Sequence, residues 1–182
     1  DHPLQPASGL KLGLETYFAG GFLKGDDDLW GLSTNAQLFV PVWEDGRGRN
    51  HVLALHGDYD WVVPHGDDDL VHVARRLYLG GRGTVRGFRF RGAGPTQFGN
   101  PVGGEARWLA SLEYQLPLFS VMPERGARES DMVRLVFFAD AGGLGTKLDD
   151  PTFQEARLGV GFGVRIRIPG LSYLPLALDF GY

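Results

Sequence analysis

The residues of this 182-residue chain that could do chemistry are five histidines, a small excess of carboxylates and a scatter of serines, with no cysteine at all. His2, His51, His56, His65 and His72 show no His-Glu-x-x-His spacing. Without a thiolate there is no mixed zinc site either, so no metal and no cofactor is expected. His56 and Asp58 stand two residues apart and would share one face of a strand, which makes a polar pair. Ser111 falls in the same face class, but a serine hydrolase also needs Ser–His proximity and an oxyanion donor site, so no catalytic residue is assigned. The Asp runs at 26–28 and 67–69 lack the ligand spacing of an EF-hand and read as solvated turns. Gly80-Gly81-Arg82-Gly83 lacks the Lys-Ser/Thr ending of a phosphate loop. Arg82, Arg86, Arg89 and Arg91 form a local basic cluster that could meet lipopolysaccharide phosphates where it is exposed.

Composition narrows the scaffold that must hold these groups. Lys plus Arg number 18 against 22 Asp plus Glu, a net charge of -4, so no overall basic field invites a nucleic acid. The 28 Gly have no three-residue period, which excludes collagen, and apolar residues recur throughout, which argues against bulk disorder. No apolar run reaches eighteen residues, so a transmembrane helix is excluded. A barrel wall is not, because it needs only alternation. The start, Asp1-His2-Pro3-Leu4, carries neither a basic nor an apolar signal segment, as expected of a mature chain or an excised portion of a longer one.

That alternation is present. From Ala156 to Ile168, seven apolar residues interleave with Arg157, Gly159, Gly161, Gly163, Arg165 and Arg167. The strand so defined would reach roughly 40 Å, enough to cross a hydrocarbon layer even when tilted. The same period puts Leu12, Leu14, Thr16 and Phe18 opposite Lys11, Gly13, Glu15 and Tyr17, and sets Trp30, Leu32, Thr34, Ala36, Leu38 and Val40 against Ser33, Asn35 and Gln37. Four more segments, from His51, Trp108, Val133 and Leu174, repeat it, giving seven strands. An eighth, from Val71 to Leu79, is ambiguous because Arg75 falls on its apolar face. Short Asp-, Gly- and Pro-rich connections suit antiparallel neighbours. A soluble sandwich also alternates, but its outer face is rich in long charged residues. Here the second face carries Gly, Ser, Asn and Gln, and several apolar stripes end in Trp or Tyr, which favours a transmembrane antiparallel β-barrel of about eight strands.

The stretch from Gly80 to Gly104 breaks the pattern. Its Tyr78-Leu79-Gly80-Gly81, Val85-Arg86-Gly87-Phe88 and Gly103-Gly104 resemble the inward-folded loop of the BamA/TamA superfamily of outer-membrane protein assembly factors, the bacterial surface antigen barrels. Glu113-Tyr114 with Pro117-Leu118, then Phe138-Ala139-Asp140-Ala141-Gly142, then Gly159 to Arg165 with Leu176 to Phe180 resemble the strands that follow in its C-terminal barrel region. Pro3 to Gly9 and the strand from Trp30 extend the likeness over nearly the whole chain.

The resemblance implies one barrel domain over 1–182 with an inward-folded loop around 70–104, in the bacterial cell outer membrane, alone or as part of a larger sixteen-strand barrel. It implies a role in inserting or translocating polypeptides without covalent chemistry. Expected partners are outer-membrane lipids and lipopolysaccharide, client outer-membrane proteins, and further copies of itself if the barrel is truncated. It makes Arg86 the loop anchor, with Glu113 and Asp140 as acidic partners, Val85, Gly87 and Phe88 as the rest of the motif, and Gly80, Gly81, Gly103, Gly104 and Gly142 as structural glycines. Strand phase independently puts Glu113 and Asp140 on the polar face. Relatives carry sixteen strands and periplasmic modules that are not visible here. Two alternatives therefore stand beside the assembly role: a short structural barrel, and the barrel anchor of an outer-membrane lipid hydrolase.

Overall fold

A computed structural model describes residues 7–21, 27–66, 69–121, 130–145, 150, 155–167 and 176–182. The Asp runs at 26–28 and 67–69 lie partly outside these residues, and His2, Ile168, Leu174 and the stretch Pro3 to Pro6 lie wholly outside them.

Seven long strands form one antiparallel sheet: β1 (Gly9–Ala19), β2 (Leu29–Glu44), β3 (Asn50–Pro64), β6 (Ala106–Val121), β7 (Ser130–Gly145), β8 (Arg157–Ile166) and β9 (Leu176–Gly181). They lie side by side in chain order, and the sheet is open, with β1 and β9 at its edges. The small strands β4 (Thr96–Gln97) and β5 (Asn100–Pro101) form a separate hairpin within the long connection between β3 and β6. Among the described residues, no helix is long and apolar enough to cross a membrane.

The ladder carries the alternation directly into two faces. Leu10, Leu12 and Leu14 of β1 are 64–72% exposed, and Leu38, Val40, Leu55, Leu112, Phe137, Leu158, Val160, Phe162, Leu176, Leu178 and Phe180 are exposed further round the sheet. So continuous an exposed apolar face is the surface a lipid-facing wall presents, and water would not tolerate it. Its ends are aromatic. Trp30 and Trp61 meet edge to face at 4.9 Å near one end, and at the other Trp43 packs on His51, whose Nδ1 bonds the Tyr114 hydroxyl at 2.8 Å. Prolines interrupt the pairing where their missing N–H must: the register shifts after Pro41 in β2 and after Pro117 in β6.

The inner face is less polar than alternation predicts. Val52, Val62, Val136 and Leu109 point inward and are buried, and the connection between β3 and β6 packs on Leu109 and Val62. Two small cores result: Leu79, Val85, Ala93 and Leu109 with Phe88 and Leu144, and Leu29, Val62 and Val71 with Ala19 and Leu77. The ambiguous segment from Val71 to Leu79 is not an eighth wall strand. It forms a 3-10 turn at Val73–Arg75 and a single bridge from Leu77 to Gly104. Arg76 explains the difference, because its guanidinium takes the Val71 carbonyl at 2.9 Å and the Val102 carbonyl at 3.2 Å, binding the segment to its own loop.

Candidate functional site: a loop held against the inner wall

Register builds the site before the loop arrives. Ser111 of β6 pairs with Asp140 of β7, and Glu113 pairs with Phe138, so all four side chains project from adjoining positions of the inner face. The loop then delivers Arg86. A tight turn forms first: the Thr84 amide bonds the Gly81 carbonyl at 3.1 Å, and the Thr84 hydroxyl accepts from the Gly80 amide at 2.9 Å. Further along, the Ala93 amide bonds the Leu79 carbonyl at 3.0 Å, closing the tip on itself.

Arg86 Nε and Nη2 donate to the two oxygens of Asp140, each at 2.7 Å, while Nη1 donates to Glu113 Oε1 at 2.6 Å. This is the fork geometry that a guanidinium supplies and an ammonium does not. The Arg86 amide adds a bond to Asp140 Oδ2 at 3.1 Å, and Nη2 also reaches Ser111 Oγ at 3.1 Å. Phe138 closes the last side, its ring centroid 3.7 Å below Arg86 Cζ. Burial pulls the Arg86 pKa down, but the hydrogen bonds that the guanidinium donates to Asp140 and Glu113 outweigh it and raise it above the ordinary arginine value. The cation is therefore permanent.

The network continues along the wall. Glu113 accepts from Gln115 Nε2 at 3.2 Å, Gln115 Oε1 accepts from Arg134 at 3.0 Å, and Arg134 pairs with Asp131 at 2.6 Å. Toward β9, Asp179 lies 3.8 Å from Arg86 Nη1 and bonds Arg165, which itself lies 3.7 Å from Glu113. A second tie holds the loop's base: Arg107 donates to Asp60 at 2.6 and 3.0 Å and to the Tyr78 carbonyl at 2.9 Å.

The other motif residues pack around the tip. Val85 is fully buried, and Phe88 packs against the same core. A Cβ added at Gly142 would meet Leu109, Val85 and Leu79 at 2.9–3.0 Å, so the wall is thinned where the loop presses on it. Gly80 and Gly81 lie against the backbone of Arg89 to Ala93, and Gly103 and Gly104 flank the bridge at Leu77. Ser111, Phe138 and Asp179 are members of the site that sequence reasoning did not assign to it. So is the Asp60–Arg107 pair, whose signal is an opposite-charge pair in direct cross-strand register.

His56 and Ser111 do not form a serine–histidine dyad. His56 Nε2 bonds Asp58 at 2.7 Å, and His56 pairs in register with Ser111. Yet the Ser111 hydroxyl donates to Asp140 Oδ1 at 2.6 Å, so its proton is not offered to an imidazole. Beside the lock lies a recess of about 300 Å³ bordered by Gln37, His56, Arg82 and Glu113. Among the described residues no group of three or more His, Asp and Glu could hold a metal ion.

An antiparallel wall with an apolar outer face and a long loop ion-paired to its other face is the architecture of a membrane β-barrel wall. The chain belongs to the Omp85 superfamily, whose domain matches residues 1–182. It is 35% identical over 145 residues to sorting and assembly machinery component 50 homolog A of Xenopus laevis, covering 76% of this chain and 28% of that protein. Against the Xenopus tropicalis homolog it is 41% identical over 130 residues, covering 70% and 25%. The outer membrane protein assembly factor BamA of Nitratidesulfovibrio vulgaris is 27% identical over 172 residues, covering 93% and 20%. Among solved structures, BamA from Haemophilus ducreyi lacking POTRA domains 1-3 superposes with a TM-score of 0.73 at 22% identity, covering 97% of this chain and 35% of that one. The chain thus spans about a quarter of the length of the curated relatives it matches.

Proposed function

We propose that this chain forms part of the wall of an outer-membrane barrel that assembles or inserts other polypeptides, working without covalent chemistry. The observation that carries the reading is the Arg86 fork on Asp140 and Glu113, which holds a long loop against the lumenal face. A merely structural barrel has no need to fill its lumen with a loop tied by a buried cation, because burying charge is costly even when it is paired. The relatives named as assembly factors and assembly-machinery components support the same reading.

In this reading residues 1–182 act as one barrel domain, with Arg86, Glu113 and Asp140 as loop anchor and Val85, Gly87 and Phe88 as the motif that seats it. The glycines at 80, 81, 103, 104 and 142 let backbone and wall approach. The compartment is the bacterial outer membrane, favoured by the match to a bacterial assembly factor over 93% of the chain. Its lipids and lipopolysaccharide meet the apolar face and aromatic ends, and client barrel proteins are the cargo. In lipid the open edges at β1 and β9 need partner strands, from the same polypeptide or from a further copy.

Reconstitution tests the reading. Full-length protein in liposomes should accelerate folding of an unfolded outer-membrane β-barrel client over empty liposomes. Equal rates with and without the protein would count against the assembly role.

A further inference from the structure

The loop tip touches more than the wall that anchors it. Gly87 has φ +94, and a Cβ placed there would stand 2.8–3.0 Å from the Tyr182 backbone. From the other side, a Cβ on Gly181 would stand 2.6 Å from the Gly87 nitrogen. A Cβ on Gly159 of β8 would strike the Arg86 carbonyl and Val85. Three glycines on three segments are therefore interleaved at backbone distance, at the point where Tyr182 exchanges hydrogen bonds with Val160 at 2.8 and 2.9 Å. The Arg86 side chain makes the same connection electrostatically: Asp179 of β9 lies 3.8 Å from it and is paired to Arg165 of β8.

We infer that the loop tip is also a clip on β9, with Asp179 as a positioning residue that ties β9 to the Arg86 cage. Among the described residues β9 (six residues) pairs with β8. The clip supplies a second hold from the lumenal side. Loop seating and β9 pairing then stabilise each other, and by linkage anything that unseats one loosens the other by the same factor. The inference rests on the anchoring role given to Arg86 above, and it adds the strand that the anchored loop controls.

Amide hydrogen exchange of the full-length protein in detergent or nanodiscs tests it. Gly87→Ala should speed exchange of residues 176–182 by about tenfold or more while leaving β2 and β3 unchanged, as a local opening does. Gly83→Ala is the control, since it shares a positive φ of +90 in the same loop but its Cβ would meet nothing within 4 Å. It should leave β9 unchanged. Asp179→Asn should speed exchange at the loop tip, residues 81–88, in the reciprocal direction. If Gly83→Ala frees β9 as much as Gly87→Ala, or if Gly87→Ala loosens the loop alone, the clip is overturned. Arg86→Ala separates the two readings: no change at the loop tip removes the anchor itself, whereas a loosened loop with an unchanged β9 removes only the clip.

Discussion

Arg86 reaches Asp140 with main chain and side chain together: its amide and its Nε share Oδ2, at 3.1 and 2.7 Å, while Nη2 takes Oδ1 at 2.7 Å. A single carboxylate therefore fixes both the direction of the loop backbone and the plane of the guanidinium. Loop position and charge pairing become one property, and the outcomes below follow from it.

Arg86→Ala should loosen the loop by roughly 2 to 5 kcal/mol, most of it from leaving Asp140 buried and unpaired. Arg86→Lys should recover only part of this, because a point charge cannot serve Asp140 and Glu113 as a fork. Protection of the loop from limited proteolysis should rank wild type, then Lys, then Ala.

Asp140→Asn should cost more than Glu113→Gln. Asp140 accepts from three donors of Arg86 and from Ser111 and is almost wholly buried, whereas the Glu113 side chain is 22% exposed and takes one short bond from Arg86. Thermal unfolding of the two variants in detergent gives the order, and the reverse order would contradict the assigned roles.

Arg107→Ala should free the base of the loop without unseating its tip. It removes the donor to the Tyr78 carbonyl and leaves Asp60 with the Ser33 hydroxyl as its partner among the described residues. A loss of about 1 to 3 kcal/mol is expected for leaving a buried polar group unsatisfied. Hydrogen exchange should rise around 71–79 and remain unchanged at Arg86.

At the turn between β2 and β3, hydrogen bonds from the Arg49 side chain first, then from the Arg49 and Arg47 amides, hold the Asp45 carboxyl at about 2. A depressed carboxylate pKa means that the contribution is present above the ordinary value of 3.8 and is lost as pH falls through about 2. Arg49→Ala should return Asp45 toward the ordinary value in a carboxyl-carbon NMR titration.

The strand phases were readable because one face of each strand meets lipid and the other does not, so a period of two survives tertiary packing. For the same reason Glu113 and Asp140 could be placed on one face from sequence. Ser111 and Phe138, two residues from Glu113 and Asp140 on the same strand faces, were within reach of that argument, whereas Asp179 was not, because its proximity depends on register across β7–β8 and β8–β9 and on where the loop descends. Val71 to Leu79 stayed ambiguous in the sequence for a local reason: Val71 and Leu79 bury into two different cores while Arg76 binds loop carbonyls. The polar reading of the inner face overlooked Val52, Val62 and Val136, and Val62 packs against Val71 of the loop.

A double-mutant cycle between Arg86 and Asp140 tests the central claim most directly, with the opening free energy of residues 81–88 read by hydrogen exchange in wild type, Arg86→Ala, Asp140→Ala and the double variant. The lock predicts strong coupling: each single change should loosen the loop, and the second change should add little, leaving an interaction energy of about 1 to 3 kcal/mol. Additivity within about 0.5 kcal/mol would contradict it, because the loop would then be held by its packing and not by the Arg86–Asp140 pair.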